Sequence, residues 1–129
     1  MQQLDVINVL KNDLNFNDPS IEKLKKFTNF VLRENKRYNL IAKSTENQIW
    51  ERHILDSAQL VKFIDFSSNS LADLGTGAGF PGLVVEIFNK NKAFHVKLYE
   101  KSPVKRRFLI NVIKAVSYTH LTLPTIRSV

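Results

Sequence analysis

"LADLGTGAGFPG", residues 71 to 82, holds all four glycines of a 129-residue chain, and they fall within eight positions directly after a short apolar run. The run "LADL" reads as a short buried strand, and "PGLVVEIFNK" behind the glycines resumes helical character. A strand that turns at once into a helix leaves the first helical N–H groups unpaired and aimed at the connecting loop, where partial positive charge gathers. Glycines at 75, 77 and 79 permit positive φ and remove the Cβ atoms that would hold a ligand off the backbone. The segment is therefore expected to be a ligand loop at the mouth of a sheet.

Downstream, "AFHVKLYE" alternates, with Phe94, Val96 and Leu98 on one face and His95, Lys97 and Tyr99 on the other, as in a strand beside a sheet helix. "KSPVKRRFLINVIK" predicts a helix with Ser102 as N-cap, Pro103 in the first turn, and Val104, Phe108 and Val112 facing inward. Strand, loop, helix, strand, helix is the opening of a parallel α/β sheet.

Upstream, the pattern is helical. Leu4, Ile7 and Leu10, with Val6 and Leu14, mark a first helix. "NDPS" interrupts, offering Asp18 and Ser20 as caps and Pro19 for a first turn. Ile21, Leu24, Phe27 and Val31 form the stripe of a second helix, with Lys23, Lys25 and Lys26 on its wet side. Thr45 and Gln48 have the spacing of a capping box, opening a helix whose buried face carries Ile49, Trp50, Ile54, Leu60, Val61 and Ile64. Residues 1–68 thus read as a helical N-terminal cap, and 69–115 as an incomplete sheet domain.

Composition narrows the function classes. At 43% hydrophobic and 24% charged, the chain has no apolar run approaching the length of a membrane span, and it is not disordered. No secretory pattern is visible at the N-terminus. The absence of cysteine excludes disulfides and thiolate metal sites, and a cytoplasmic location is expected. Net charge is +7, and most of it lies beside the glycine loop: residues 71 to 115 carry eight Lys/Arg against Asp73, Glu86 and Glu100. Such an excess suits an anionic partner such as RNA, or else forms a solvated lysine-rich face.

"GAGFPG" (Gly77, Gly79, Gly82) formally matches the dinucleotide pattern G-x-G-x-x-G, so a nicotinamide-dependent oxidoreductase is one reading. Two details favour S-adenosylmethionine. Asp73 precedes the first glycine pair, giving D-x-G-x-G-x-G, and Pro81 interrupts the gap where dinucleotide binders begin their helix. Glu100, at the end of the second strand and 21 positions after Gly79, can accept hydrogen bonds from ribose hydroxyls in either class. No Lys-Ser or Lys-Thr follows the glycines, which argues against a P-loop. A non-catalytic RNA-binding module is the third reading.

"NLIA" (39–42), "RHILDS" (52–57), "DLGTGAGFPG" (73–82) and "EKSPVKRRFL" (100–109), in this order and spacing, resemble the bacterial small-subunit rRNA guanine-N7 methyltransferases, also called glucose-inhibited division protein B. The resemblance runs from residue 1 to about 115. It implies a class I, Rossmann-like methyltransferase fold, here incomplete, S-adenosylmethionine as cofactor, and small-subunit (16S) rRNA or the 30S particle as partner. It also implies no membrane, no metal, and a monomer at full length. Carried over by the resemblance, Asp73, Gly75, Gly77, Gly79, Phe80 and Glu100 are the expected cofactor contacts.

Guanine N7 is already a nucleophilic lone pair and loses no proton on methylation, so alignment matters more than a base. Arg52, His53, Asp56 and Ser57 are accordingly expected to pack or orient the cap, and no catalytic residue is assigned. The run Lys105 to Arg107 is a candidate for phosphate contact.

From Val116 to Val129, "VSYTHLTLPTIRSV" breaks the inward pattern of the preceding helix and resembles the one-frame translation of a transposase sequencing adapter. Residues 116–129 are expected to be a non-native tail; a native strand in "YTHLTL" is the alternative.

Overall fold

The computed structural model describes residues 1–116 and 126–127. Helix α1 (Gln3–Asn12) is followed by the long α2 (Asp18–Tyr38). A stretch of mixed winding comes next: 3-10 over Lys43–Gln48, π over Trp50–Leu55, one α turn α3 (Asp56–Ala58), then 3-10 over Gln59–Phe63. The α/β half runs β1 (Ser70–Leu74), α4 (Gly82–Phe88), β2 (His95–Tyr99), α5 (Pro103–Ala115) and β3 (Ile126–Arg127). This mixture of helices with parallel strands is the expected α/β class, the opening of a Rossmann-like sheet.

The strands are parallel in the order β1-β2-β3, with Ser70 opposite His95 and Leu74 opposite Tyr99. One sheet face carries Leu71, Asp73, Val96 and Leu98 and meets α4. The other carries Ser70, Ala72, Leu74, His95, Lys97 and Tyr99 and is largely bare, with Leu74 68% exposed. "LADL" is therefore a strand, but not a buried one: it is an edge with one open face, and among the described residues only β2 pairs with it. Of the expected tail 116–129, residues 117–125 and 128–129 lie outside the described residues, and the alternative strand "YTHLTL" falls among them.

The helical cap and the α/β half share one apolar core. Phe27 of α2 packs on Phe80 with ring centroids 5.2 Å apart, Phe30 on Phe108 at 5.7 Å, and Phe16 on Phe88 at 4.8 Å. Ser20 Oγ donates to Ile87 O at 3.1 Å, bonding α2 to the end of α4. Asn35, also buried, donates to Glu46 and accepts from Ile41 N–H, fastening the turn after α2.

Several local expectations are corrected. The N-cap of α2 is Asn17, whose Oδ1 accepts the Ser20 N–H at 2.9 Å; Asp18 and Pro19 already lie inside the first turn. Asn17→Ala should cost about 1 kcal/mol, read from a urea unfolding midpoint. Thr45 and Gln48 form no capping box. Thr45 Oγ1 donates back to Ala42 O and meets His53 Nε2 at 3.0 Å, and the chain stays 3-10. The mixed winding turns Leu60 outward, while Ile49, Trp50, Ile54 and Val61 stay buried and Ile64 is half-buried. Leu4 and Val104, expected inward, are exposed, because each helix buries only a narrow stripe.

Candidate functional site

The glycine loop leaves β1 and is closed by its own backbone. Tyr99 O accepts from Gly75 N–H at 2.8 Å and from Thr76 N–H at 3.2 Å, and Thr76 O accepts from Gly79 N–H at 3.0 Å. The end of β2 thus holds the loop that follows β1, as the parallel pairing of the two strands requires. All three expected glycines have positive φ: +68° at Gly75, +59° at Gly77 and +98° at Gly79.

Their surroundings differ, and this separates ligand-facing from packing positions. A Cβ at Gly75 or Gly77 would meet nothing within 4 Å, so the backbone there faces open space. A Cβ at Gly79 would lie 2.5 Å from Leu83 Cδ1, and one at Gly82 would collide with Leu98 and come 2.8 Å from Asp73 Oδ2. Gly75 and Gly77 form an open floor of bare backbone. Gly79 and Gly82 let α4 sit close to the loop and sheet.

Asp73 takes a structural part. Its Oδ2 accepts the Gly82 N–H at 2.9 Å, so the start of α4 is capped rather than free, contrary to the expected unpaired N–H groups. With α4 only seven residues long, the helix terminus offers no anion site of its own. Burial pushes the Asp73 carboxyl up, against hydrogen bonding from the Thr76 side chain and Gly82. Thr76 Oγ1 is buried towards this carboxylate without a hydrogen bond of ordinary geometry.

Glu100 faces the loop, as expected. Its Oε1 accepts Gly77 N–H at 2.7 Å and its Oε2 accepts Ser102 N–H at 2.9 Å. Burial raises the carboxyl, but the N–H groups of Ser102 and Gly77 and the charge of Lys105 outweigh it and hold the group below its ordinary value. Each oxygen keeps acceptor capacity for a further hydroxyl.

Phe80 joins this floor to a second feature. Its ring lies 5.2 Å from Phe27 and 5.2 Å from the His53 imidazole. Phe80 and Pro81 also line a cavity of about 440 Å³, together with Arg52, His53, Asp56, Ser57, Gln59, Leu60 and Phe63. Burial lowers the His53 pKa, with Asp56 pulling it up and Arg52 pushing it further down. The structure thus places Arg52, His53, Asp56 and Ser57 around the same cavity as Phe80.

Phe63, 83% exposed at the rim, had no place in the helical reading. Its only signal in the sequence is an aromatic next to Lys62 on the polar side of the stripe. Of the basic run, Arg106 Nη1 donates to Glu100 O at 3.0 Å and Lys101 O at 2.8 Å, so it braces the strand end, and Lys105 is half-buried; Arg107 is exposed. Among the described residues no cluster of three His, Asp or Glu could hold a metal ion, and no helix is long and apolar enough to cross a membrane.

Comparison with known proteins bears on the same residues. Residues 20–127 match a family model described as rRNA small subunit methyltransferase G. The chain is 43% identical over 90 residues to the ribosomal RNA small subunit methyltransferase G of Pelagibacter ubique, covering 67% of this chain and 42% of that protein. It is 44% identical over 94 residues to that of Rickettsia prowazekii, covering 73% and 48%, and 49% identical over 67 residues to that of Rickettsia felis, covering 52% and 35%. It spans less than half the length of these curated relatives. A match over most of its residues, glycine loop and cap motif included, makes the chain a member of the rRNA small subunit methyltransferase G family.

Proposed function

We propose that the chain carries the methyl-donor site of an S-adenosylmethionine-dependent methyltransferase acting on guanine N7 in small-subunit rRNA, and that it works in the cytoplasm as a monomer when joined to the rest of such a protein. The observation that carries this reading is the bare floor at Gly75 and Gly77, held open by positive φ and pinned by Glu100. The residues present suit the cofactor: side-chain-free backbone for the nucleoside to lie against, a buried carboxylate with spare lone pairs, and Phe80 as an apolar wall. When bound, S-adenosylmethionine supplies an electrophilic methyl on its sulfonium. The chain's own residues bind and orient. Glu100 holds the loop and accepts from ribose hydroxyls, and Phe80, directly after Gly79, lines the neighbouring cavity.

A second reading has one observation in its favour. Gly82 packs against Leu98 as the third glycine of a dinucleotide fingerprint packs helix on strand. Titrating one preparation with S-adenosylmethionine and with NAD decides between them.

The far edge of β1 has no partner among the described residues, and an open edge leaves the floor supported from one side only. We therefore expect this 129-residue chain to bind S-adenosylmethionine more weakly than micromolar and to transfer no methyl group to 30S particles. Calorimetric titration should show weak, saturable binding that Gly77→Val abolishes, with NAD inert. A micromolar constant over a folded baseline would contradict the expected weakness, and indifference to Gly77→Val would remove the cofactor assignment.

A further inference from the structure

The cavity at Phe80 is lined by two charged side chains, both within electrostatic reach of His53. Arg52 and Asp56 both line it, four positions apart, yet neither forms an ion pair or hydrogen bond among the described residues. On an α-helix, positions i and i+4 are neighbours and such a pair would close on itself. Here Arg52 sits in the π-wound stretch Trp50–Leu55 and Asp56 opens the α turn that follows, and the two side chains do not pair. Around them stand apolar walls: the rings of Phe80 and of Phe63, 83% exposed, and Leu60 at 41% exposure. An aromatic this exposed beside an unspent carboxylate and guanidinium describes a site for a planar ligand with polar edges.

We infer that this cavity receives the purine to be methylated, with the Asp56 carboxylate accepting from guanine N1–H and N2–H2, and Arg52 holding a flanking phosphate. The inference rests on the methyl-transfer reading above, and it adds which residues select the base. A carboxylate offers two acceptors, which guanine's edge can fill and adenine's, with its N1 acceptor, cannot. Arg52 is excluded as the base reader by the chemistry itself. A guanidinium placed bidentate on O6 and N7 would occupy the lone pair that must take the methyl group. A base held at N1 and N2 turns N7 to the opposite side, away from the cap. Stacking on Phe63 or Phe80 leaves that edge in the plane and accessible.

The test uses the full chain with guanosine 5′-monophosphate and adenosine 5′-monophosphate as probes, followed by NMR on the Phe63, Phe80 and His53 ring resonances. Guanosine monophosphate should shift these signals and bind about tenfold or more tightly than the adenosine nucleotide. Asp56→Asn, which presents one donor in place of an acceptor, should erase that preference. Arg52→Ala should weaken both nucleotides equally. Circular dichroism confirms that each variant is folded, and Asp56→Glu, keeping both acceptors, should retain the preference if the exchange to Asn fails to fold.

Equal binding of the two nucleotides, no binding, or shifts at the Gly75 and Gly77 amides in place of the cavity rings would overturn the inference. S-adenosylmethionine titrated into the same samples separates the two readings. Cofactor binding without guanine preference sinks the base pocket alone, whereas guanine preference without cofactor binding sinks the donor site alone.

Discussion

Gly82→Val should cost about 3 kcal/mol and leave the α/β half only marginally folded. Any Cβ at this position collides with the side chain of Leu98, which is fully buried. It also comes within 2.8 Å of Asp73 Oδ2, the atom that caps α4 through the Gly82 N–H. One branched side chain therefore breaks a cap and forces helix from sheet at once. The urea midpoint should fall steeply, and loss of near-UV signal should accompany it. Gly77→Val supplies the contrast, because its Cβ projects into open space. There the cost is confined to left-handed φ, on the order of 1–3 kcal/mol, and cofactor affinity is lost while the core stays packed. A Gly82→Val chain as stable as the parent would show that α4 is not seated on Leu98 as described.

Glu86 should make the protein more stable in mild acid than above neutrality. Its carboxyl lies inside, between α4 and β2, bonded by Asn89 Nδ2 at 3.3 Å and by the Val96 N–H, and burial pushes it from 4.5 up to about 7. The folded state thus keeps a proton that the unfolded chain gives up near 4.5. Stability from this group is fully present below the unfolded value and is lost as pH rises through the folded one. The shift corresponds to about 3 kcal/mol between pH 5 and pH 8. Glu86→Gln keeps the shape without the charge, so it should flatten the profile and raise the unfolding free energy at pH 8. Equal slopes for the variant and the parent would show that Glu86 is ionised in place.

The elements that sequence patterning reached are those with one clear physical signal. The glycine run, the alternation of Phe94, Val96 and Leu98, and the stripe of α2 each follow from a single period, and the structure has them. Of these, the family resemblance shares only the glycine run; its other segments are 39–42, 52–57 and 100–109. What escaped was set by tertiary contacts. Between residues 43 and 63 the winding changes repeatedly, so a uniform 3.6-residue period misplaces Leu60 and overlooks Phe63. The bond from Gly82 N–H to Asp73 was not legible, because Gly82 is nine residues away and comes into reach only once α4 docks. Glu100 was legible because strand ends in a parallel sheet gather at one rim, where the loop after the neighbouring strand must also lie.

The shared aromatic packing sets a boundary on modularity. Phe27 and Phe30 cover the outer surfaces of Phe80 and Phe108, so the segment from residue 69 onward is not a self-sufficient cassette. Transplanting the glycine loop into another scaffold would strip Phe80 of its backing by Phe27. Any minimal graft has to bring α2 along, which ties the inheritance of the loop to that of the helix.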